Sequence, residues 1–313
     1  MSNPQNNIQH PEIISVSCEN FGGHAEHWRI LSQQPENEVS GWMQQALDTA
    51  SSPMGLCATE DDLPKDVWLL QGPQQPIHLQ QIIAVENNHP KHFITAFPSL
   101  ESPYKVNAKV GRILACPNNH EAVLRLELDD SSVIYAYDAF YVVNQEQYDA
   151  NTSYQAELSA WGYGLEAVPN KETMLIEDPA AIRHHRALND ILADHNGETP
   201  DNLQDLLAAW QPSSPEDEMP VTLDISKMVA YLYGETMGQE DEAWFQGDIV
   251  GKSQGQFFDK SITLYDVAIM REEKAKPVIL RLAVAKTQQE FEIGEYIRGN
   301  IWIQAKIYVK TST

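Results

Sequence analysis

A segment near the middle of the chain recurs near its end, and this repeat constrains the fold more than any other feature of the sequence. The earlier copy runs Tyr148-Asp-Ala-Asn151-Thr-Ser-Tyr154-Gln-Ala156-Glu-Leu158-Ser-Ala160-Trp161, and the later one Phe291-Glu-Ile-Gly294-Glu-Tyr296-Ile297-Arg-Gly299-Asn-Ile301-Trp302-Ile303. In each, an aromatic residue is followed three positions on by Asn or Gly. Both tolerate positive φ and so can open the last strand of a small β module. An alternating segment follows, with a period of two that a helix cannot satisfy. One face of the later copy carries Ile297, Gly299, Ile301 and Ile303, and the other carries Arg298, Asn300, Trp302, Gln304 and Lys306. In the earlier copy Tyr154, Ala156, Leu158 and Ala160 oppose Gln155, Glu157, Ser159, Trp161 and Tyr163. Each tryptophan therefore stands on an otherwise polar face. Such a face either stacks a ring in solution, with Arg298 and Lys306 beside Trp302, or lies under another part of the protein.

Strand candidates surround each copy. Val106 to Leu114, Ala122 to Leu128, Val133 to Val143 and Ser153 to Val168 form one set, with turns at Asn118-Asn119 and Asp129–Ser131. Trp244 to Val250, Ser261 to Met270, Pro277 to Ala285 and Tyr296 to Val309 form the other. Sets of four or five short strands have the proportions of OB-like or SH3-like barrels. Between them, Asp178-Pro179 is a helix start, an N-cap acid with Pro at the first position, and Asn196-Gly197 is a stop. A second helix is expected from Thr199 to Trp210, then a Pro/Ser/acid linker over 211–220, and a third helical piece from Ile225 to Leu232. The first hundred residues read as mixed. A short amphipathic helix is expected around Trp42–Leu47, and strands at Val67–Leu70, Ile82–Val85 and His92–Phe97.

The expected class is thus α+β. A mixed region over 1–103 precedes a first OB-like β module at 104–168, an acidic helical connector at 169–242 and a second OB-like module at 243–313. The stretches Leu128 to Tyr141 and Leu158 to Tyr163, with Trp244-Phe-Gln-Gly-Asp248 and Gly299-Asn-Ile-Trp-Ile-Gln304, resemble a bacterial family with two tandem OB-like halves. The resemblance covers roughly 104–168 and 243–309; it implies architecture and no activity.

Charge narrows the partners. The chain carries 21 Lys and Arg against 45 Asp and Glu, a net −24. Residues 169–242 hold 4 basic and 16 acidic residues, whereas 243–313 hold 10 and 8. Polyanions are repelled by such a chain, so nucleic acid is expected, if anywhere, only on 243–313. No apolar run is long enough for a membrane helix, and the polar start Met1-Ser-Asn-Pro predicts no secretory signal. Three scattered cysteines without a CxxC pair fit a reducing cytoplasm.

Catalytic signatures are sparse: there is no GxxxxGK[ST] or GxGxxG, and Gly251-Lys-Ser-Gln-Gly255 matches GxSxG by spacing alone, inside an expected β module rather than at a strand-to-helix turn. His24-Ala-Glu-His27 and His89-Pro-Lys-His92 have HxxH spacing, and Cys18 lies six residues before His24, but zinc needs three or four ligands in a tetrahedral array and HxxH recurs by chance. Two Tyr-Asp pairs, Tyr137-Asp138 and Tyr265-Asp266, put a carboxylate inside a strand, where burial raises its pKa unless it serves a bulge or binds backbone amides. The expected function is a cytoplasmic, non-enzymatic protein that binds a protein or peptide partner, with no cofactor and no metal. Single-stranded nucleic acid or oligosaccharide binding on the second module is the alternative, and a metal-dependent hydrolase the third. Candidate binding residues are Trp161, Tyr163, Arg298, Trp302, Lys306 and Asp138.

Overall fold

The computed structural model describes residues 9–16, 24–73, 76–233, 240–271, 276–285 and 289–310, and strands dominate it. The chain forms two compact units, one from Met1–Ala167 and Val229–Thr313, the other from Val168–Met228.

The larger unit begins with β1 (Glu12–Ser15), α1 (Ala25–Leu31) and α2 (Pro35–Leu47). Pro35 opens α2, Glu36 and Glu38 fall in its first turn, and Trp42 and Ala46 are buried one turn apart. A three-stranded antiparallel sheet follows, β2 (Val67–Gly72), β3 (Ile77–Glu86) and β4 (His89–Leu100). Then come β5 (Lys105–Ala115), β6 (Ala122–Leu128), β7 (Val133–Asp138), a single helical turn α3 (Tyr141–Asn144) and the long β8 (Ser153–Ala167). The strand expected to reach Val143 stops at Asp138, because the Asp138 carboxylate accepts the Phe140 N–H at 2.9 Å and turns the backbone into α3.

The smaller unit holds β9 (Thr173–Ile176), α4 (Pro179–Asp194), α5 (Leu203–Ala209) and β10 (Val221–Asp224), with β9 and β10 paired antiparallel. The Asp178 carboxylate caps α4 by accepting the Ala181 N–H at 2.8 Å. Trp210 donates its indole N–H to Asp190 at 2.9 Å and its carbonyl accepts from Arg183 at 2.7 Å, tying α4 to the residue after α5.

The chain then returns to the larger unit as β11 (Ala230–Tyr233), β12 (Glu242–Phe257), β13 (Lys260–Met270), β14 (Val278–Ala285) and β15 (Tyr296–Val309). Residues 230–232, expected to be helical, are in β11. Ala-Tyr-Leu-Tyr favours a strand once an edge is there to receive it, and β12 supplies that edge with Ala230 opposite Gln246 and Tyr233 opposite Ala243.

The repeat copies are β8 and β15, and they pair with each other. They run antiparallel over Ile297–Val309 and Ala167–Tyr154, with Trp302 directly opposite Trp161. Each also leaves its own set: β15 pairs in parallel with β7, and β8 with β14. The pairings make two circuits that share the central pair. One runs β5–β6–β7–β15–β8 and back to β5; the other runs β12–β13–β14–β8–β15 and back to β12. The two sets are therefore interleaved through exchanged last strands rather than set side by side. Gly299 sits where β15 shifts register against β8; its φ of 154° and a 2.8 Å approach of the Gly164 carbonyl to any Cβ leave room for glycine alone.

The period of two divides the core. Ala156, Leu158, Ala160, Ile301, Ile303 and Ile307 face an aliphatic core shared by both circuits. Trp161 and Trp302 face a second core with α1, α2 and the three-stranded sheet, against Trp28, Trp42, Phe97 and Phe257. The first hundred residues thus cover the polar, tryptophan-bearing face of the central pair.

Candidate functional site

The covered face holds most of the chemically competent side chains. His24, just before α1, and His27, within it, are both buried, and their Nδ1 atoms lie 3.0 Å apart, so one ring donates to the other. His24 Nε2 is 2.6 Å from Glu121 Oε1, which also accepts from the Tyr137 hydroxyl at 3.0 Å. Asn118 donates to the other Glu121 oxygen at 2.5 Å. Burial acts to raise the Glu121 carboxyl, but His24, Asn118 and Tyr137 outweigh it and hold the group below its ordinary value. Burial drives the Tyr137 phenol far above its usual range.

His27 stacks on Trp302 with ring centroids 3.7 Å apart and planes 7° from parallel. Its Nε2 comes within 3.6 Å of Glu242 Oε1, too far for a hydrogen bond. Burial pushes this imidazole down to about 4, so it is neutral at pH 7. On the other edge, Trp302 Nε1 donates to Asp241 Oδ2 at 2.7 Å, and Asp241 Oδ1 has no hydrogen-bond partner. Burial raises the Asp241 carboxyl to about 7.

The site residues expected from sequence fall into separate settings. Trp302 and Trp161 are both fully buried, so neither offers a ring face to solvent; of the two readings of this face, the one found is packing under other parts of the protein, and Trp302 is not a stacking platform. Trp161 meets Phe257 edge-on at 6.4 Å and leaves its indole N–H without a partner. Lys306 is also buried, with Nζ donating to His78 Nε2 at 3.0 Å and lying 5.7 Å from the Phe140 ring centre; burial lowers it to about 8 against the pull of Glu157 and Glu101. Arg298 donates to Glu166 at 2.7 Å, and Tyr163 is half-buried with its phenol raised by burial and by Glu242. Asp138 is held by the Phe140 N–H and a short bond from the Tyr148 hydroxyl, and burial lifts it to about 7. Asn144 donates to the Ile307 carbonyl at 3.2 Å and accepts the Leu56 N–H at 2.7 Å beside it. This arrangement is a structural knot around α3.

Asp266, in the second Tyr-Asp pair, takes two hydrogen bonds from Arg281 and one from the Tyr104 hydroxyl, opposite the register shift at Gly251. Of the two HxxH pairs, only His24 and His27 come together in a buried cluster. Three of their four nitrogens are engaged, with each other and with Glu121; Cys18 lies outside the described residues, and among the described residues no group of three His, Cys, Asp or Glu is arranged to hold a metal. Glu121, Asp241 and Glu242 were invisible as members of this cluster in the sequence, since 97 residues separate His24 from Glu121 and 61 separate Trp302 from Asp241. The HxxH spacing, Trp302 on its polar face and the Tyr137-Asp138 pair marked the place.

What is open to solvent lies elsewhere. A groove of about 570 Å³ is bounded by the start of β5, the end of β6 with its turn, and the start of β14. Val106, Leu128, Val278 and Ile279 supply apolar surface, and Lys105, Lys276, Asp129 and Asp130 supply charge of both signs.

In comparisons with known proteins, no family model, no curated protein and no solved structure matches the chain. No helix among the described residues is long and apolar enough to cross a membrane.

Proposed function

We propose that the protein is a non-catalytic binding protein that recognises a protein or peptide partner on its β framework. The observation that carries this reading is a division of labour. His24, His27, Glu121, Asp138, Asp241 and Lys306 are sealed in the interior, whereas the open groove is walled by strand edges and aliphatic side chains. A catalytic group must reach its substrate, and a sealed one serves packing and specificity of the fold instead. Each pairing circuit is a three-stranded meander whose third strand meets the last in parallel, which supports an OB-like reading of the two modules, a framework that lends itself to binding through its surfaces. The net charge of −24 favours partners that are not polyanions.

The test is selection of random short peptides displayed against the full-length protein, repeated on Val106→Glu, with thermal melting to show that the variant folds. Peptides enriched on the native protein and lost on the variant are expected. Peptides enriched equally on both, or none at all, would remove the groove as the binding surface.

A further inference from the structure

We infer that the groove takes an extended peptide as an added strand on β5, antiparallel to it, in the way that β11 is added to β12. The inference rests on the binding reading above and names the mode and chemistry of the partner.

The argument is an internal comparison. One edge of β12 pairs with β15 over Glu242–Asp248; the opposite edge pairs with β13 from Ile249 onward. Upstream of β13, that same opposite edge receives β11. Strand β5 is built alike. One edge pairs with β8 over Lys105–Lys109, and the opposite edge pairs with β6 from Ala108 onward. Upstream of Ala108 that edge has no paired strand among the described residues, and the groove lies there.

The hydrogen-bond phase also agrees. In an antiparallel pair, alternate residues direct both backbone groups to one side. The Asp241 carbonyl accepts from Ile303 at 2.9 Å, so Asp241 and Ala243 bond toward β15, while Trp244 and Gln246 face β11 opposite Leu232 and Ala230. The Tyr104 carbonyl accepts from Leu158 at 3.3 Å, so Tyr104 and Val106 bond toward β8. Lys105 then presents its N–H and C=O groups to the groove and Asn107 its N–H, the Asn107 carbonyl facing Asp129 next to the Ala108–Leu128 pair that opens the β5–β6 ladder. Three backbone groups suit a short strand, and Pro103 and Pro277 at the margins keep the edge from extending into open-ended sheet growth.

The walls correspond too. Strand β11 is flanked by the start of β7, where the Tyr135 N–H donates to the Tyr231 hydroxyl at 3.4 Å and the Tyr135 ring lies 5.0 Å from Tyr233. The counterpart of that wall is the start of β14, with Val278 and Ile279. Tyr231 and Val106 are both partly buried against the same aliphatic core. The occupant that fits is a segment of another protein resembling Ala230-Tyr-Leu-Tyr233: extended, without proline, with a tyrosine-like side chain directed inward and little net charge, because the rim offers two lysines and two aspartates. Main-chain bonds then supply affinity and the inward side chain supplies selectivity.

The experiment uses the full-length protein and a capped synthetic peptide with the sequence of Val229–Tyr233, read by hydrogen exchange resolved to single amides. Binding should slow exchange at Lys105 and Asn107, Val106→Glu should weaken it at least about tenfold, and N-methylating alternate peptide amides should abolish it. Binding that survives N-methylation, or that leaves Lys105 and Asn107 unprotected, overturns strand addition while leaving a peptide-binding groove in place. Protection that moves to Trp244 and Gln246 means that the peptide displaces β11, and it overturns the assignment to β5. Failure of this peptide, with library peptides still dependent on Val106, overturns the proposed chemistry alone. Protection of the same amides that rises with protein concentration, without peptide, makes a second copy the occupant and also overturns the proposal.

Discussion

Trp161 and Trp302 stand opposite one another on paired strands, come from matching positions of a repeat, and are equally buried. Yet Trp302 lies between His27 and Asp241 and satisfies its indole N–H, while Trp161 packs against Phe257 with that donor unpaired. The same residue on the same face thus serves two purposes. One ring organises a polar cluster and the other fills apolar space. A repeat fixes which way a side chain points; its neighbours come from elements with no repeat of their own, here α1 and the loop before β12.

The comparison is most severely tested by truncation. Trp302→Ala should cost about 3–5 kcal/mol, from lost burial and the cavity left behind, and Trp161→Ala should cost less than Trp302→Ala, since no buried carboxylate loses a partner. Denaturant melts of both variants check this; equal losses would mean that the polar contacts around Trp302 contribute nothing net.

Acidity comes next. The Asp241 carboxyl titrates near 7 in the fold against an ordinary 3.8, so the folded state holds the proton more tightly. Its contribution is present at low pH and is lost as pH rises from about 4 to about 7. Asp241→Asn removes that slope, so the stability of the variant relative to the native protein should climb by up to a few kcal/mol between about pH 5 and about pH 8. A flat difference across that range would show that the carboxyl ionises freely. His27 acts in the opposite sense: lowered from 6.5 to about 4, its contribution is present above 6.5 and lost as pH falls toward 4.

A gentler pair of variants sharpens the contrast. Trp302→Phe strands Asp241 without a donor and should cost about 1–3 kcal/mol. Trp161→Phe removes an unpaired donor along with some packing, so its melting temperature should fall distinctly less. Smallest of all, Arg298→Ala loses an ion pair whose Glu166 partner is 61 % exposed, and it should shift stability by under about 1 kcal/mol. A larger loss, measured in the same melts, would show that Arg298 serves as more than a surface partner.

Much of the secondary structure was legible. The helix opened by Asp178-Pro179 and the strands Ala122–Leu128 and Val278–Ala285 follow from capping chemistry and local alternation. The faces of β8 and β15 were legible for the same reason. Residues 230–232 were not, because Ala-Tyr-Leu-Tyr becomes a strand only when the edge of β12 is present to hold it. Of the buried cluster, His24 and His27 carried a spacing signal, whereas Asp241 is one acid among sixteen in its stretch.

By itself the sequence determined which segments alternate, where α4 begins, and that each tryptophan shares a face with polar residues, since these depend on neighbours within a few positions. The tertiary structure alone decided that β8 and β15 exchange circuits, that residues 24–100 close over their polar face, and that β11 fills one crevice while its counterpart beside β5 stays open. Apart from the local pairing of β11 with β12, those outcomes turn on contacts between distant segments, such as the 61 residues between Asp241 and Trp302 and the 228 between His78 and Lys306. Their energy comes from burying one surface against another, and no local pattern records which surface that will be.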